Sequence, residues 1–358
     1  MTQDSHEIYF RPSGPVYGDT FFGRSNEIRK LQQYVEANQS VLILGERRIG
    51  KTSFLTHAYK SLGLLENQRH VWYEGPSDLP YFANVLLPEF GDLDPTTKPF
   101  EKLFSEANKP ANDPKIALYL NDIDEFLRRS DELDELQRIL RLLIDNGHTI
   151  CCATSFQNLD FLVSHHSTPP IFNVFSTITL AGFTNEDAVT FLAHASQQSG
   201  DEFSDAEIQL IIKIVGLVPC NLQRFGFHLF LNQSFRGSSD SERLDCFSRA
   251  FDDYLNNRRQ LWAHQLEFLS DDDIQLLLNA VNSSELDVNR CSNLIGRGFL
   301  DVGENRFATM GSIYPEFLRS ATPMHTENST GDRKRWVGDF GGHAVKTAIA
   351  ETIKAFLT

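Results

Sequence analysis

An α/β fold built on a parallel sheet is the class that the sequence predicts, and three observations carry the prediction. Five short apolar runs recur in the first half of the chain: Val41–Leu44, His70–Tyr73, Ile116–Leu120, Thr149–Ala153 and Thr177–Leu180. Segments with helical character separate several of them. The first run leads straight into a glycine-bracketed loop, Gly45-Glu46-Arg47-Arg48-Ile49-Gly50-Lys51-Thr52, and then into a helical segment from Thr52 through Ala58. Runs this short and branched suit strands covered on both faces, the condition of a parallel sheet. Alternating strands and helices place a ligand at the carboxyl ends of the strands.

Taken in order, the loop is the most informative element. Gly45, Gly50, Lys51 and Thr52 satisfy the phosphate-binding pattern G-x-x-x-x-G-K-[ST]. Glycines let backbone N–H groups turn inward around phosphate oxygens, and the following helix adds the partial positive charge of its N-terminus. Lys51 is expected to reach the β- and γ-phosphates and the Thr52 hydroxyl to ligate Mg²⁺. Gly45, Arg48, Gly50, Lys51, Thr52 and Ser53 form the loop's candidate nucleotide-binding set, with ATP or ADP and Mg²⁺ as cofactors.

The third run ends in Asn121-Asp122-Ile123-Asp124-Glu125. Carboxylates at the end of such a strand hold the metal and orient the attacking water. Counted from the apolar run, Asn121 falls on the metal position and Asp122 on the acidic catalytic position. In a second register Asp122 is the metal-site residue. In a third, Asp124 and Glu125 are the acidic pair, unless they open a helix whose dipole favours them. Asn121 keeps an oxygen without the charge, so slow hydrolysis, or binding without hydrolysis, is expected. The fourth run ends in Thr154-Ser155. Cys151 and Cys152, inside that run, read as small core residues.

The second half of the chain reads as helical. Ser204 and Glu207 form a capping-box pair, Ile208, Ile211, Ile212 and Val215 share one helical face, and Gly216 stops the helix. Thr184 and Asp187 open the preceding helix in the same manner. Ser270 caps a helix with Ile274, Leu277, Leu278 and Val281 on its apolar face, and a second helix near Val288 to Ile295 runs into Gly296-Arg297-Gly298. Phe299–Val302 and Arg306–Thr309 then read as strands around a turn at Gly303–Asn305, giving a winged helix. Residues 326–332 have linker composition, Arg333–Trp336 is a basic and aromatic cluster expected in a solvated turn, and Val345, Ala348, Ile349, Thr352, Ile353 and Phe356 mark an amphipathic helix.

Bulk properties narrow the function. The 358 residues leave room for two or three domains. A net charge of −15 argues against a broad nucleic-acid surface, which needs clustered Lys and Arg. The winged-helix region offers Arg290, Arg297 and Arg306 beside Asp301 and Glu304, so DNA is the lesser alternative as a partner. Five cysteines without regular spacing indicate a reducing compartment. The beginning, MTQDSHEIYF, lacks the pattern of a signal peptide, and no apolar run is long enough to span a membrane. A cytoplasmic protein is expected.

With these residues in view, the chain resembles the STAND-type P-loop ATPases, a branch of the AAA+-like NTPases, and within them the compact prokaryotic "archaeal ATPase"-like group. Four stretches between Gly14 and Leu318 carry the likeness. They are Gly14-Pro15-Val16 with Phe21-Phe22-Gly23-Arg24 and Glu27-Ile28; the phosphate loop; Phe172-Asn173-Val174-Phe175 leading to Ile178 through Thr184; and Gly216-Leu217-Val218-Pro219 with Leu222-Gln223. The resemblance implies a P-loop domain, a helical lid and a winged helix. It implies that Pro15, Val16, Phe22 and Gly23 lie near the base, that Arg24 ties this box to the nucleotide domain, and that Pro219 approaches from the lid. Ser155, or Thr154, takes the sensor position beside the γ-phosphate, completing a catalytic set with Lys51 and Asp122; Phe156 stands where the family often has a more polar residue. The expected domains are a nucleotide-contacting segment at 1–19, the P-loop domain at 20–182, the lid at 183–262, the winged helix at 263–320, and a linker with a C-terminal helix at 321–358. The implied activity is that of a nucleotide-dependent switch. It controls assembly or a separate protein through the winged helix or C-terminal helix, with a DNA-acting ATPase and a non-hydrolysing scaffold as alternatives.

Overall fold

The computed structural model describes residues 8–62, 68–75, 78–90, 98–109, 115–121, 130–155, 171–231, 239–282, 287–302, 305–324 and 335–338. The chain forms two compact units, one of residues 15–180 and one joining the N-terminal residues through Gly14 to everything from Ala181 onward. The segment expected as residues 1–19 is therefore shared between units, and the boundaries drawn at 262 and 320 fall inside the second.

The first unit is an α/β sandwich. Its strands are β1 (Val41–Gly45), β2 (Gln68–Glu74), β3 (Lys115–Asn121), β4 (Thr149–Thr154) and β5 (Ser176–Leu180). All five runs read from the sequence are strands. They pair in parallel in the order β2-β3-β4-β1-β5. The three inner strands are buried almost throughout, while edge strands β2 and β5 alternate between buried and exposed positions. That is the pattern expected when helices cover both faces of the centre. The helices are α1 (Ser25–Glu36), α2 (Lys51–Leu62), α3 (Leu79–Leu86), α4 (Pro99–Ala107) and α5 (Ser130–Asp145). One face of the sheet gives Leu42, Leu44, Leu118, Leu120 and Ile150 to a core with Leu79 and Phe82 of α3, Leu103 of α4 and Ile139 and Leu140 of α5. Phe54, Leu55 and Ala58 of α2 are fully buried, and α2 packs on β1, β3 and β4. Phe54 and Leu55 each contribute roughly 1.5–3 kcal/mol when removed from water, which fixes the helix carrying Lys51 against the sheet. Cys151 and Cys152 are core residues as expected, and burial pushes the Cys151 thiol up to about 12.

The second unit is helical: α6 (Asn185–Gln198), α7 (Asp205–Val215), α8 (Pro219–Leu231), α9 (Asp240–Leu266), α10 (Asp271–Asn282), α11 (Ser292–Gly296) and α12 (Tyr314–Ser320). The caps are those the sequence indicates. The Asp187 amide donates to Thr184 Oγ1 at 3.1 Å, the Ser204–Glu207 capping box is complete, and the Asp273 amide donates to Ser270 Oγ at 3.0 Å. Gly216 ends α7 at φ +79°, and a side chain there would overlap the backbone of Thr309 and Met310. Gly311, at φ +83°, meets the end of α7 reciprocally. Two hydrogen bonds close this glycine-to-glycine seam, Leu217 N–H to Thr309 O at 2.9 Å and Ser312 N–H to Lys213 O at 2.9 Å.

Phe10 belongs to this unit as well. Its ring is buried beside Phe191, Phe203 and Phe230 and lies against Gly226, where any side chain would overlap it. The flanking amides of Tyr9 and Arg11 donate to Ser199 Oγ at 3.0 Å and Gln223 Oε1 at 2.7 Å.

Three expectations in this half change. The hairpin strands at 299–302 and 306–309 are turns, closed by Asp301 N–H to Arg306 O at 2.8 Å. Asp301 also takes the Thr309 amide and hydroxyl, each at 2.8 Å, which bends the chain back before a ladder can extend. The helix expected over 288–295 is a turn followed by the short α11. Arg335 and Trp336 lie on β7 (Arg335–Gly338), antiparallel to β6 (Ala321–Met324), where a solvated turn is expected from the sequence. The linker at 326–332 and the amphipathic helix at 345–356 lie outside the described residues.

Candidate nucleotide site

The phosphate loop leaves the carboxyl end of β1, between β4 and the edge strand β5. Gly45 is required by close approach: a Cβ there would stand 2.7 Å from Ile49 Cγ2 and 2.9 Å from the Leu180 carbonyl. The loop therefore folds back on the end of β5 and buries Ile49. The turn is made at Arg48 (φ +69°) and Gly50 (φ +102°), both left-handed. Arg48 accepts this geometry with its side chain in solvent. α2 begins at Lys51, with Phe54 N–H bonded to Gly50 O at 2.9 Å.

Lys51 is folded over the loop. Its Nζ donates to the carbonyls of Gly45 at 3.0 Å and Glu46 at 3.1 Å. Both acceptors are main-chain oxygens of the loop itself.

The neighbouring strand ends present polar groups that the fold itself does not use. Asn121 closes β3 with 5% exposure and Ser155 follows β4 with 1% exposure; Asn121 Oδ1 and Ser155 Oγ are both buried without a hydrogen-bond partner. Thr154, in register with Leu44 of the loop's own strand, is fully buried. An unpartnered buried oxygen costs about 1–3 kcal/mol, so two of them at the carboxyl ends of adjacent strands fit a polar ligand beside the loop. An amide oxygen, a serine hydroxyl and the Thr52 hydroxyl are hard donors of the kind Mg²⁺ and phosphate accept.

Asp122, Asp124, Glu125 and Phe156 lie outside the described residues. A described carboxylate at the neighbouring strand end is absent from the set expected from the sequence. Glu74 ends β2 in register with Asn121 and is exposed, and Gly75 N–H donates to Asn121 O at 3.3 Å. The signal is visible afterwards, an acidic residue directly behind the run His70–Tyr73. Glu46, second in the loop and buried, is likewise absent from that set.

The segment ahead of α1 belongs to the same unit from Pro15 on. Val16 N–H donates to Ser53 Oγ at 3.1 Å, joining this segment to the loop's helix. Gly23 and Arg24 are both left-handed at φ +63° and +66°, and the half-turn they make starts α1. Arg24 is buried and pairs with Glu27 at 3.3 Å. Pro219 lies in the other unit, as the first residue of α8.

No family model matches the sequence, and no curated protein matches it. The structure does have solved counterparts. It is similar to a Walker-type ATPase of Pyrococcus abyssi with a TM-score of 0.53 and 16% identity, over 97% of this chain and 100% of that one. It is similar to the ORC2 protein of Aeropyrum pernix, solved in ADPNP–ADP complexes, with a TM-score of 0.53 and 12% identity, over 99% and 98% of the chains. The ADP form of that protein gives a TM-score of 0.50 over 97% and 98%. The chain thus shares its fold with these solved proteins over nearly its whole length.

Proposed function

We propose that this protein is a Mg²⁺-dependent ATP-binding switch of the STAND type, with slow hydrolysis. One observation carries the reading. The loop Gly45–Thr52 keeps Lys51 on its own carbonyls while Asn121 Oδ1 and Ser155 Oγ stand unpartnered at the adjacent strand ends. Lys51 and the loop amides bind the β- and γ-phosphates, and Arg48 stands at the loop's solvent side. Thr52 holds Mg²⁺ together with Asp122 or the neighbouring acidic residues. Ser155 contacts the γ-phosphate, and Pro15, Val16, Phe22 and Gly23 hold the base. When bound, Mg²⁺ supplies charge neutralisation at the phosphates. The nucleotide complexes of the Aeropyrum pernix protein support ATP as the ligand. Asn121 in place of a carboxylate supports slow turnover. A protein partner or self-assembly is the output.

A DNA-acting role is the second reading, motivated by Arg290, Arg297 and Arg306 and by the basic and aromatic cluster Arg333–Trp336. Against it, Arg297 is buried and Arg306 Nη1 donates to the Ala280 carbonyl at 3.4 Å, so two of the three basic residues expected on that element serve the fold. No helix among the described residues is long and apolar enough to cross a membrane.

The test is phosphate release by wild type, Lys51→Ala and Asp122→Asn under saturating ATP and Mg²⁺. The reading expects measurable wild-type turnover abolished in Lys51→Ala and reduced about 100-fold or more in Asp122→Asn. Undiminished turnover in Asp122→Asn moves the acidic role to Asp124, Glu125 or Glu74. Salt-sensitive retention on a DNA column would favour the second reading.

A further inference from the structure

The N-terminal segment does more than pass the loop's helix. Ser53, His57 and Lys60 stand at positions i, i+4 and i+7 of α2, one face of the helix. Each holds one residue of the incoming segment. Ser53 Oγ accepts from the Val16 amide at 3.1 Å. The His57 imidazole stacks on the Phe21 ring with centroids 4.2 Å apart and planes at 11°. Lys60 Nζ sits 3.1 Å above the centre of the Tyr17 ring. These contacts differ in kind — a hydrogen bond, a ring stack and a cation–π contact — yet all fall on one stripe that starts two residues after Lys51.

We infer that Ser53, His57 and Lys60 are positioning residues that fasten the segment Val16–Phe21 along the phosphate-binding helix, so that base recognition is set by the same helix that binds the phosphates. The claim rests on the proposed nucleotide site. A serine hydroxyl has one donor and two acceptor sites. Ser53 Oγ can therefore keep the Val16 amide while donating its own proton to a phosphate oxygen. The hydroxyl then links the chain that holds the base to the occupancy of the loop. His57 is half-buried, and burial holds its imidazole below the ordinary value, so the neutral ring is the stacking partner near neutral pH. Tyr17 is exposed, and the charge of Lys60 over its face orders a ring that packing alone does not hold.

The consequence separates two ligands. Inorganic tripolyphosphate has the phosphates of ATP without base or ribose. Loosening the stripe far from the loop weakens ATP and leaves tripolyphosphate unchanged, whereas general damage to the fold weakens both. The experiment is calorimetric titration of the full chain with each ligand in the presence of Mg²⁺. His57→Ala is expected to weaken ATP about fivefold, the size of an aromatic-pair loss, with tripolyphosphate unaltered. His57→Phe, which keeps the stack, is expected to restore ATP affinity. Lys60→Ala, an exposed change that leaves the core untouched, is expected to weaken ATP in the same direction by a smaller factor. The inference is overturned if His57→Ala and Lys60→Ala both keep the wild-type ratio of the two affinities, or if both ligands weaken together. Wild type that binds neither ligand would overturn the nucleotide reading itself. Wild type that binds both, with variants that keep the ratio, overturns this inference alone.

Discussion

Gly45 shows how little freedom the loop has. A methyl group there would press into Ile49 and the Leu180 carbonyl, so Gly45→Ala must displace either the loop or the end of β5. The expected cost is about 1–3 kcal/mol of stability in the 15–180 unit, read by urea denaturation, with a parallel loss of ATP affinity. A neutral substitution would mean the loop has slack the structure does not show. Asn121 makes the opposite kind of prediction. Its side chain is buried at the end of β3 with an unpartnered oxygen, and restoring the charge with Asn121→Asp is expected to raise Mg²⁺-dependent turnover about tenfold, a gain of 1.4 kcal/mol at the transition state. Turnover that falls instead would place the metal elsewhere. At this scale Lys51 and Thr52 were legible in the sequence because spacing alone defines their pattern. Glu74 was not, because its place beside Asn121 depends on the register of β2 against β3, which no local pattern encodes.

Among the elements, histidines in the sheet make the P-loop unit sensitive to acid. His148 Nδ1 accepts the Ile116 amide at 3.1 Å, and burial, with the Lys115 ammonium adding to it, holds this imidazole below its ordinary value. Burial does the same to His70. The unfolded chain thus takes up protons that the folded unit refuses, and the stability these groups contribute is full above pH ~6.5 and is lost as pH falls below it. The melting temperature should drop between pH 7.5 and 5.5, and by less in His148→Gln. An equal drop in both would exclude His148 as a source. In the helical unit, Phe10→Ala empties a socket between Phe191, Phe203 and Phe230 and should cost about 3–5 kcal/mol of that unit's stability by denaturation. The five strands and the caps of α6, α7 and α10 were readable because apolar runs and cap residues act locally. The Phe10 socket was not, since its partners lie some two hundred residues on. The hairpin expected near Phe299 failed for a related reason: Asp301 turns its carboxylate inward to Thr309 and closes a turn where alternation alone suggested strands.

For the molecule as a whole, the order β2-β3-β4-β1-β5 sets β4 between the loop's strand and β3. Ser155 therefore stands closer to the loop in strand order than Asn121 does, as a γ-phosphate contact and a metal-side residue would require. The switch reading adds that the nucleotide changes the protein's state. ATP with Mg²⁺ should alter the pattern of limited proteolysis relative to ADP, and identical patterns would remove the switch while leaving the binding site. The central claim, that Gly45–Thr52 holds a nucleotide through Lys51, is tested most directly by calorimetric titration of wild type and Lys51→Ala with ATP and Mg²⁺. The account predicts saturable one-site binding by wild type and a loss of about 100-fold or more in Lys51→Ala. Equal affinity in the two proteins would contradict it.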